Sequence, residues 1–202
     1  MISESAKPVW NLPDFEDRLE GLLRNRRKNL LSADGMITAA VLVPLFRKDG
    51  TSHVLLTKRS EFVEHHKGEI SFPGGKVDPS DANMLACALR ETAEEIGVDP
   101  QHVKILGELD DFYTVATGFL VIPFVGLIPY PYEFKPSARE ISDLLEVPLG
   151  VFFDLTRRSE ETWMINDQSV EVISYLWRGH NIWGATARIL KHFTELIDGE
   201  KK

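Results

Sequence analysis

Hydrophobic positions along this chain recur with two different periods, and the changes of period divide it into elements. From Asp14 to Leu31, Phe15, Leu19, Leu22, Leu23 and Leu30 fall at helical spacing and predict an amphipathic helix. Thr38 to Phe46 and His53 to Arg59 read as two strands, with Asp49-Gly50 as the turn between them. Glu69 to Phe72 reads as a short strand leading into Pro73-Gly74-Gly75. A second helix is predicted from Asp81 or Ala82 to Gly97, a residue suited to the left-handed position that ends a helix. Leu85, Ala88, Leu89, Ala93 and Ile96 form its apolar stripe. Val103–Tyr113 and Phe119–Ile128 predict further strands, the second apolar enough to be well buried. Glu161–Met164 and Val170–Trp177 predict a hairpin. Asn181–Ile197 predicts a closing helix with Ile182, Trp183, Thr186, Ile189, Leu190, Phe193 and Ile197 on its core side. This mixture implies an α/β (α+β) fold in which helices flank a mixed sheet. Residues 1–34 read as a helical extension packed on a domain formed by residues 35–202.

Composition narrows the class. The 202 residues are long enough for a substantial core, and 43% hydrophobic with 27% charged content is ordinary for a globular enzyme. The formal net charge of −8 disfavours a sequence-independent nucleic-acid binder, which needs a basic footprint. It also requires that an anionic ligand be captured by a local basic patch against the overall field. Arg24, Arg26, Arg27 and Lys28 make one basic run, read first as solvated helix face and second as a phosphate contact. The single cysteine, Cys87, allows no internal disulfide and sits among Leu85, Ala88 and Leu89 as a core residue, which fits a reducing cytoplasm. No apolar run has membrane-spanning length, and the N-terminus lacks a signal-peptide layout. A cytoplasmic protein with no membrane partner is expected.

The densest chemistry lies on the second predicted helix. Glu91, Glu94 and Glu95 stand at i, i+3 and i+4 and project from adjacent turns onto one patch. Carboxylates that close repel one another, and a divalent cation relieves the repulsion. Hard oxygen donors at this density suit Mg²⁺ or Mn²⁺. A cation held there beside a glycine turn is suited to cleaving a phosphoanhydride. Taken alone, three glutamates on a helix are more often only solvated surface.

The surrounding string decides between these readings. Gly75, followed by Arg90-Glu91-Thr92-Ala93-Glu94-Glu95-Ile96-Gly97-Val98, resembles the signature of the Nudix hydrolases. Thr92 departs from it at a hydrophobic position, and its spaced acidic residue is Asp81, with one extra residue before Arg90. That combination is similar to the coenzyme A pyrophosphatase branch. So is Leu55-Leu56-Thr57-Lys58-Arg59-Ser60 with Gly68 and Phe72-Pro73-Gly74-Gly75, although Glu64 stands where the branch has an arginine. Further matches run through Thr117-Gly118, Glu140-Ile141, Glu146-Val147-Pro148-Leu149 and Ile182–Ala187, so the resemblance covers about residues 38–197.

The resemblance implies a Nudix-type α/β/α sandwich and water attack on a nucleoside diphosphate linked to another group. It makes Glu91 and Glu95 the principal metal ligands, with Glu94 a further or water-mediated one, and the Gly74 carbonyl is suited to complete the sphere because glycine lets backbone approach an ion closely. Arg90 is then expected to orient the carboxylates. The general base is assigned first to Glu140 and second to Glu146, each weighed against a plain surface carboxylate. Substrate contacts are expected from Arg59, Lys67, Gly75 and Thr117, with Phe119 as an aromatic neighbour. Strand alternation puts Lys58 and Arg59 on opposite faces, and Arg59 is favoured for the site. His65 and His66 are open to a phosphate contact, whereas Trp177 and Trp183 read as core. The branch substrate is coenzyme A or a derivative, split to 3′,5′-ADP and 4′-phosphopantetheine. The alternatives are another nucleoside diphosphate derivative, such as ADP-ribose or a dinucleotide, and a non-catalytic nucleotide sensor. A homodimer is left open.

Overall fold

The computed structural model describes residues 8–33, 35–62, 67–114, 117–165 and 168–199. Its helices are α1 (Phe15–Asn25), α2 (Met84–Ile96) and α3 (Gly184–Gly199). Its strands are β1 (Ile37–Lys48), β2 (Thr51–Arg59), β3 (Ile70–Ser71), β4 (Gly74–Lys76), β5 (Lys104–Glu108) and β6 (Phe112–Thr114). They continue with β7 (Phe119–Leu127), β8 (Ile141–Pro148), β9 (Arg158–Ile165), β10 (Gln168–Trp177) and β11 (His180–Trp183).

β1 through β8 form one mixed sheet. β1 runs parallel to β7, and every other pairing is antiparallel. The β1–β2 hairpin turns through Asp49 (φ 51°) and Gly50 (φ 74°), the two successive positive φ angles of a two-residue turn. Beyond Leu45↔Val54 the two strands part. β3 then pairs with β2 through Thr57↔Ser71, and β4 pairs with β1 through Ala39↔Lys76. Residues 70–76 therefore fill the wedge between them. A second antiparallel sheet has the order β11-β10-β9.

Helices cover both faces of the large sheet. On one, Cys87 and Ala88 of α2 pack on Ala40, Leu42 and Phe124. On the other, Phe15, Leu19 and Leu23 of α1 join Ile189, Leu190, Phe193 and Ile197 of α3 in the largest core cluster. Leu23 seats directly over Gly107, where an added Cβ would meet its side chain at 2.6 Å. Truncating Leu19 or Phe193 to alanine in such a core costs about 2–5 kcal/mol. Among the described residues, no helix is long and apolar enough to cross a membrane.

Several expectations are corrected. The first helix ends at Asn25, with residues 26–33 running on irregularly, because Arg26 and Lys28 are drawn sideways to Asp110, Glu108 and Asp111. Leu30, expected in the core, is exposed. The basic run is occupied by these carboxylates, with Arg24 on Glu20, and only Arg27 lacks such a partner among the described residues. The strand expected over 103–113 is two strands, interrupted at Leu109–Asp111. β8 and β11 were not expected, and α3 starts only at Gly184. The second helix begins at Met84, where the Asn83 side chain accepts a hydrogen bond from the Ala86 N–H. Its buried residues are Cys87, Ala88, Thr92, Glu95 and Ile96, so one glutamate lies on the core side that pattern reading reserved for apolar residues. Gly97 ends it at φ 73°, as expected.

Candidate active site

Three separate pieces of backbone converge on α2. The first is the wedge segment. Gly74 has φ 149°, and a Cβ there would lie 2.4 Å from the Ala40 carbonyl oxygen, so only glycine allows this approach to β1. Its N–H donates to Glu95 Oε2 at 3.2 Å. Gly75 holds the Glu91 carboxylate against its α-carbon, where a Cβ would stand 2.4 Å from Glu91 Cδ. The two glycines thus bring backbone against two carboxylates one helical turn apart.

The second piece is the end of β2. A β-bulge between Lys58 and Arg59 turns Arg59 toward α2, and its Nη1 lies 3.8 Å from Glu95 Oε1. Arg59 Nε is buried with no hydrogen-bond partner among the described residues. Lys58, on the other side of the bulge, lines a separate cleft with Lys67 and Glu69.

The third piece runs from Lys135 to β8. The Lys135 and Ser137 N–H groups donate to the Ile96 and Glu95 carbonyls at 2.9 Å each, which satisfies exposed acceptors at the end of α2. The Glu140 N–H donates to the Ser137 carbonyl, and the Ser60 N–H donates to the Glu140 carbonyl. This chain of hydrogen bonds ties Glu95, Glu140 and the residue after Arg59 to one another. Glu140 is exposed, yet its charge acts on both Glu91 and Glu95. Glu146 is excluded as an alternative at this site. It is paired with Lys48 at 2.6 Å and lies six residues along β8, roughly 20 Å away.

Electrostatics distinguish the three glutamates. Glu95 is 3% exposed, and burial pushes its pKa to about 7 against the opposing Gly74 N–H and Arg59 charge. Burial also raises Glu91, with Arg90 pulling the other way. Glu94 is largely exposed. Arg90 spans the group: Nη1 lies 2.9 Å from Glu91 and 3.2 Å from Glu94, while Nε and Nη2 grip Asp81 at 2.9 and 3.0 Å. That bidentate grip raises Arg90 and lowers Asp81. Asp81, nine residues before Arg90, was legible only as a motif position; its role as the arginine's anchor appears in three dimensions. Thr92, at the motif's hydrophobic position, is fully buried and donates its hydroxyl to the Ala88 carbonyl at 2.6 Å. Cys87 is buried, with its thiol pushed up to about 11, and is no nucleophile at neutral pH.

The other expected contacts lie apart from the carboxylates. The Thr117 hydroxyl donates to Thr114 Oγ1 at 2.7 Å and closes the turn into β7. Phe119 receives Lys76 Nζ over its ring, 5.6 Å from the centroid. Lys67 is exposed at the Lys58 cleft. Glu64, His65 and His66 lie outside the described residues. Trp177 is buried as expected, whereas Trp183 is 38% exposed, because it ends a strand and does not enter the helix.

The donor set fits a hard divalent cation. Glu91 and Glu95 are oxygen ligands whose charge burial destabilises, and a cation would relieve that. Among the described residues no three such side chains are closed around a common point, and Arg90 pairs with Glu91 and Glu94.

Residues 36–147, more than half of the chain, match the NUDIX domain family. The chain belongs to the Nudix hydrolases. A Nudix hydrolase NudL of Photorhabdus laumondii, named as uncharacterized, is 34% identical over 187 residues, covering 93% of this chain and 98% of its own. The Klebsiella pneumoniae NudL, likewise named, is 36% identical over 194 residues, covering 92% and 94%. Among solved structures, a MutT/nudix family protein from Enterococcus faecalis has a TM-score of 0.55 at 17% identity, covering 92% of this chain and 73% of that one. The MutT protein of Methanosarcina mazei has a TM-score of 0.51 at 21% identity, covering 88% and 100%. Both carry the same mixed α+β architecture. As a Nudix hydrolase the chain acts on nucleoside diphosphate derivatives, and enzymes of this family generally use divalent metal ions.

Proposed function

We propose that this Nudix hydrolase cleaves the diphosphate of coenzyme A or its derivatives, giving 3′,5′-ADP and 4′-phosphopantetheine or its acyl form. The observation that carries the reading is Arg59. The Leu55–Ser60 string that resembles the coenzyme A branch places a guanidinium beside Glu95, with a buried N–H that has no partner among the described residues. A cationic donor without a full set of acceptors, next to carboxylates suited to a cation, is what an anionic diphosphate requires.

In this mechanism Glu91, Glu95, Glu94 and the Gly74 carbonyl would hold Mg²⁺ or Mn²⁺. When bound, the ion neutralises phosphate charge and makes hydroxide available near neutral pH. The protein's own groups do the rest. Arg59 orients the diphosphate, with Gly75 giving close backbone approach and Thr117 shaping the rim. Arg90, anchored by Asp81, releases Glu94 and keeps the carboxylates in register. Glu140 removes the proton from the attacking water, being exposed and tied through Ser137 to Glu95. This reading places the enzyme in the cytoplasm.

The test is incubation of the purified protein with coenzyme A and with ADP-ribose, each with Mg²⁺ or Mn²⁺, and identification of products by mass spectrometry. 3′,5′-ADP and phosphopantetheine from coenzyme A are expected. Cleavage of ADP-ribose alone would retain the site chemistry and assign Glu64 to a changed specificity.

A further inference from the structure

The three-stranded sheet β11-β10-β9 buries one face and leaves the other to solvent. Alternation along β10 sends Ile173, Tyr175 and Trp177 into the main core, together with Ile182 of β11. The opposite parity, Val170, Val172, Ser174 and Leu176, forms the outer face. The register sets Trp163 opposite Val170 and Trp183 opposite Ser174 on that same side. Leu176 is 58% exposed, Trp163 43% and Trp183 38%, and the two indole rings lean together over β10 with centroids 6.2 Å apart. Among the described residues, Glu161 is the only charged side chain that the paired strands put on this face. Its Oε2 accepts the Trp163 Nε1–H at 2.9 Å, so the indole presents an apolar surface. The far part of the hairpin has little support of its own. β11 pairs only with Ser174–Trp177, and residues 159–164 of β9 are exposed on both sides. A two-stranded ribbon of that kind is marginally stable alone in water.

We propose that this outer face is the contact of a two-fold homodimer, with the two sheets packed face to face and β10 antiparallel to β10. Charge along the sheet is graded: Arg178 stands at its base, and Glu161 and Glu171 lie in the half toward the hairpin tip. A two-fold axis near Ser174 sets each base against the other copy's tip, so Arg178 approaches the partner's Glu161. Leu176 then meets the partner's Val172 and indole pair. An isologous contact requires a patch to complement its own image, and this grading does so. The shortage of charge on the face also matters, since two copies of net charge −8 repel each other least where few charges meet. The footprint, roughly 30 by 15 Å, belongs to the smaller specific interfaces, which bury less than about 1,200 Å² in total. The dimer is therefore one that dissociates at micromolar concentration. None of these residues belongs to the candidate active site, and the inference holds for any substrate.

Sedimentation velocity of the purified full chain from about 1 to 200 µM tests this. A monomer–dimer equilibrium with a micromolar midpoint is expected. Leu176→Asp puts a charge into the apolar contact and should weaken dimerisation by at least about a hundredfold. Because Leu176 is mostly exposed in the single chain, the variant should melt with the wild type at about 1 µM, where both are monomers. Arg178→Glu and Glu161→Lys should each weaken the dimer by about tenfold. The double variant should recover most of the loss, because each reversed charge meets its reversed mate across the two-fold axis. A wild type still monomeric at about 200 µM overturns the proposal and leaves the face to another occupant. So does a dimer indifferent to Leu176→Asp, or a double variant no stronger than the single ones.

Discussion

Replacing Glu95 with glutamine separates the two demands on that residue. A carboxylate moved by burial from its ordinary 4.5 to about 7 carries a free-energy penalty of roughly 3 kcal/mol in its charged form, at 1.36 kcal/mol per unit. Because the folded state holds this proton more tightly than the unfolded chain, folding takes up a proton between pH 4.5 and 7. The metal-free protein therefore loses stability as pH rises through that window. Glutamine has the same shape and no charge to bury. In EDTA at pH 8, Glu95→Gln should be more stable than the wild type by about 2–3 kcal/mol, somewhat less than the full penalty because Arg59 loses its neighbour. For a chain of this size that is a rise of about 5–10 °C in Tm. At pH 4 the two should converge, since Glu95 is then neutral. Millimolar Mg²⁺ should raise the wild-type Tm at pH 8 and leave the variant unmoved, while the variant loses turnover by at least about a thousandfold. Differential scanning fluorimetry from pH 4 to 8, with and without the ion, reads all of this. A variant that tracks the wild type at every pH, or melts lower at pH 8, refutes the claim that Glu95 is a buried, destabilised charge.

Other outcomes follow from the same geometry. Gly75→Ala should cost about a hundredfold in kcat, since its methyl displaces the Glu91 carboxylate; activity within threefold of wild type would show that the glutamate need not sit there. Glu140→Gln should lower kcat by about 10²–10⁴ with metal affinity nearly intact, and an unchanged pH–rate profile would remove it as the base. Asp110→Asn should lower stability at pH 7 by about 2 kcal/mol in urea denaturation, because it breaks the contact with Arg26. Burial raises the Asp110 pKa, but the Asn29 N–H and Arg26 hold it below the ordinary value. Its stabilisation is therefore present above about pH 4 and fades on acidification, and the variant should lack that part of the acid-induced loss.

The sheet, α2 and the cluster of glutamates were legible because each rests on short-range periodicity. Phe119–Ile128 is apolar along its length, and Gly97 ends α2 where a left-handed residue is needed. What pattern reading missed depends on contacts distant in sequence. Arg26 and Lys28 leave the helix for carboxylates 84 and 80 residues away. Glu95 breaks the rule that buried helix faces are apolar, a local conflict of the kind that marks a candidate functional residue. β8 escaped notice because Ser142, Asp143 and Glu146 blur its alternation, and Trp183 was assigned to the helix that begins one residue later. Glu91, Glu94 and Glu95 were grouped correctly by spacing, but their unequal burial was not legible without the wedge segment that covers two of them.

The segment from Lys135 to Glu140 touches α2 and the end of β2 almost entirely through its backbone. Amide groups do not depend on side-chain identity, so apart from Glu140 this stretch can vary in composition. Its length has no such freedom. A single inserted or deleted residue would shift Glu140 and Ser60 out of step with Glu95 together, disabling the enzyme while its hydrophobic core stayed intact.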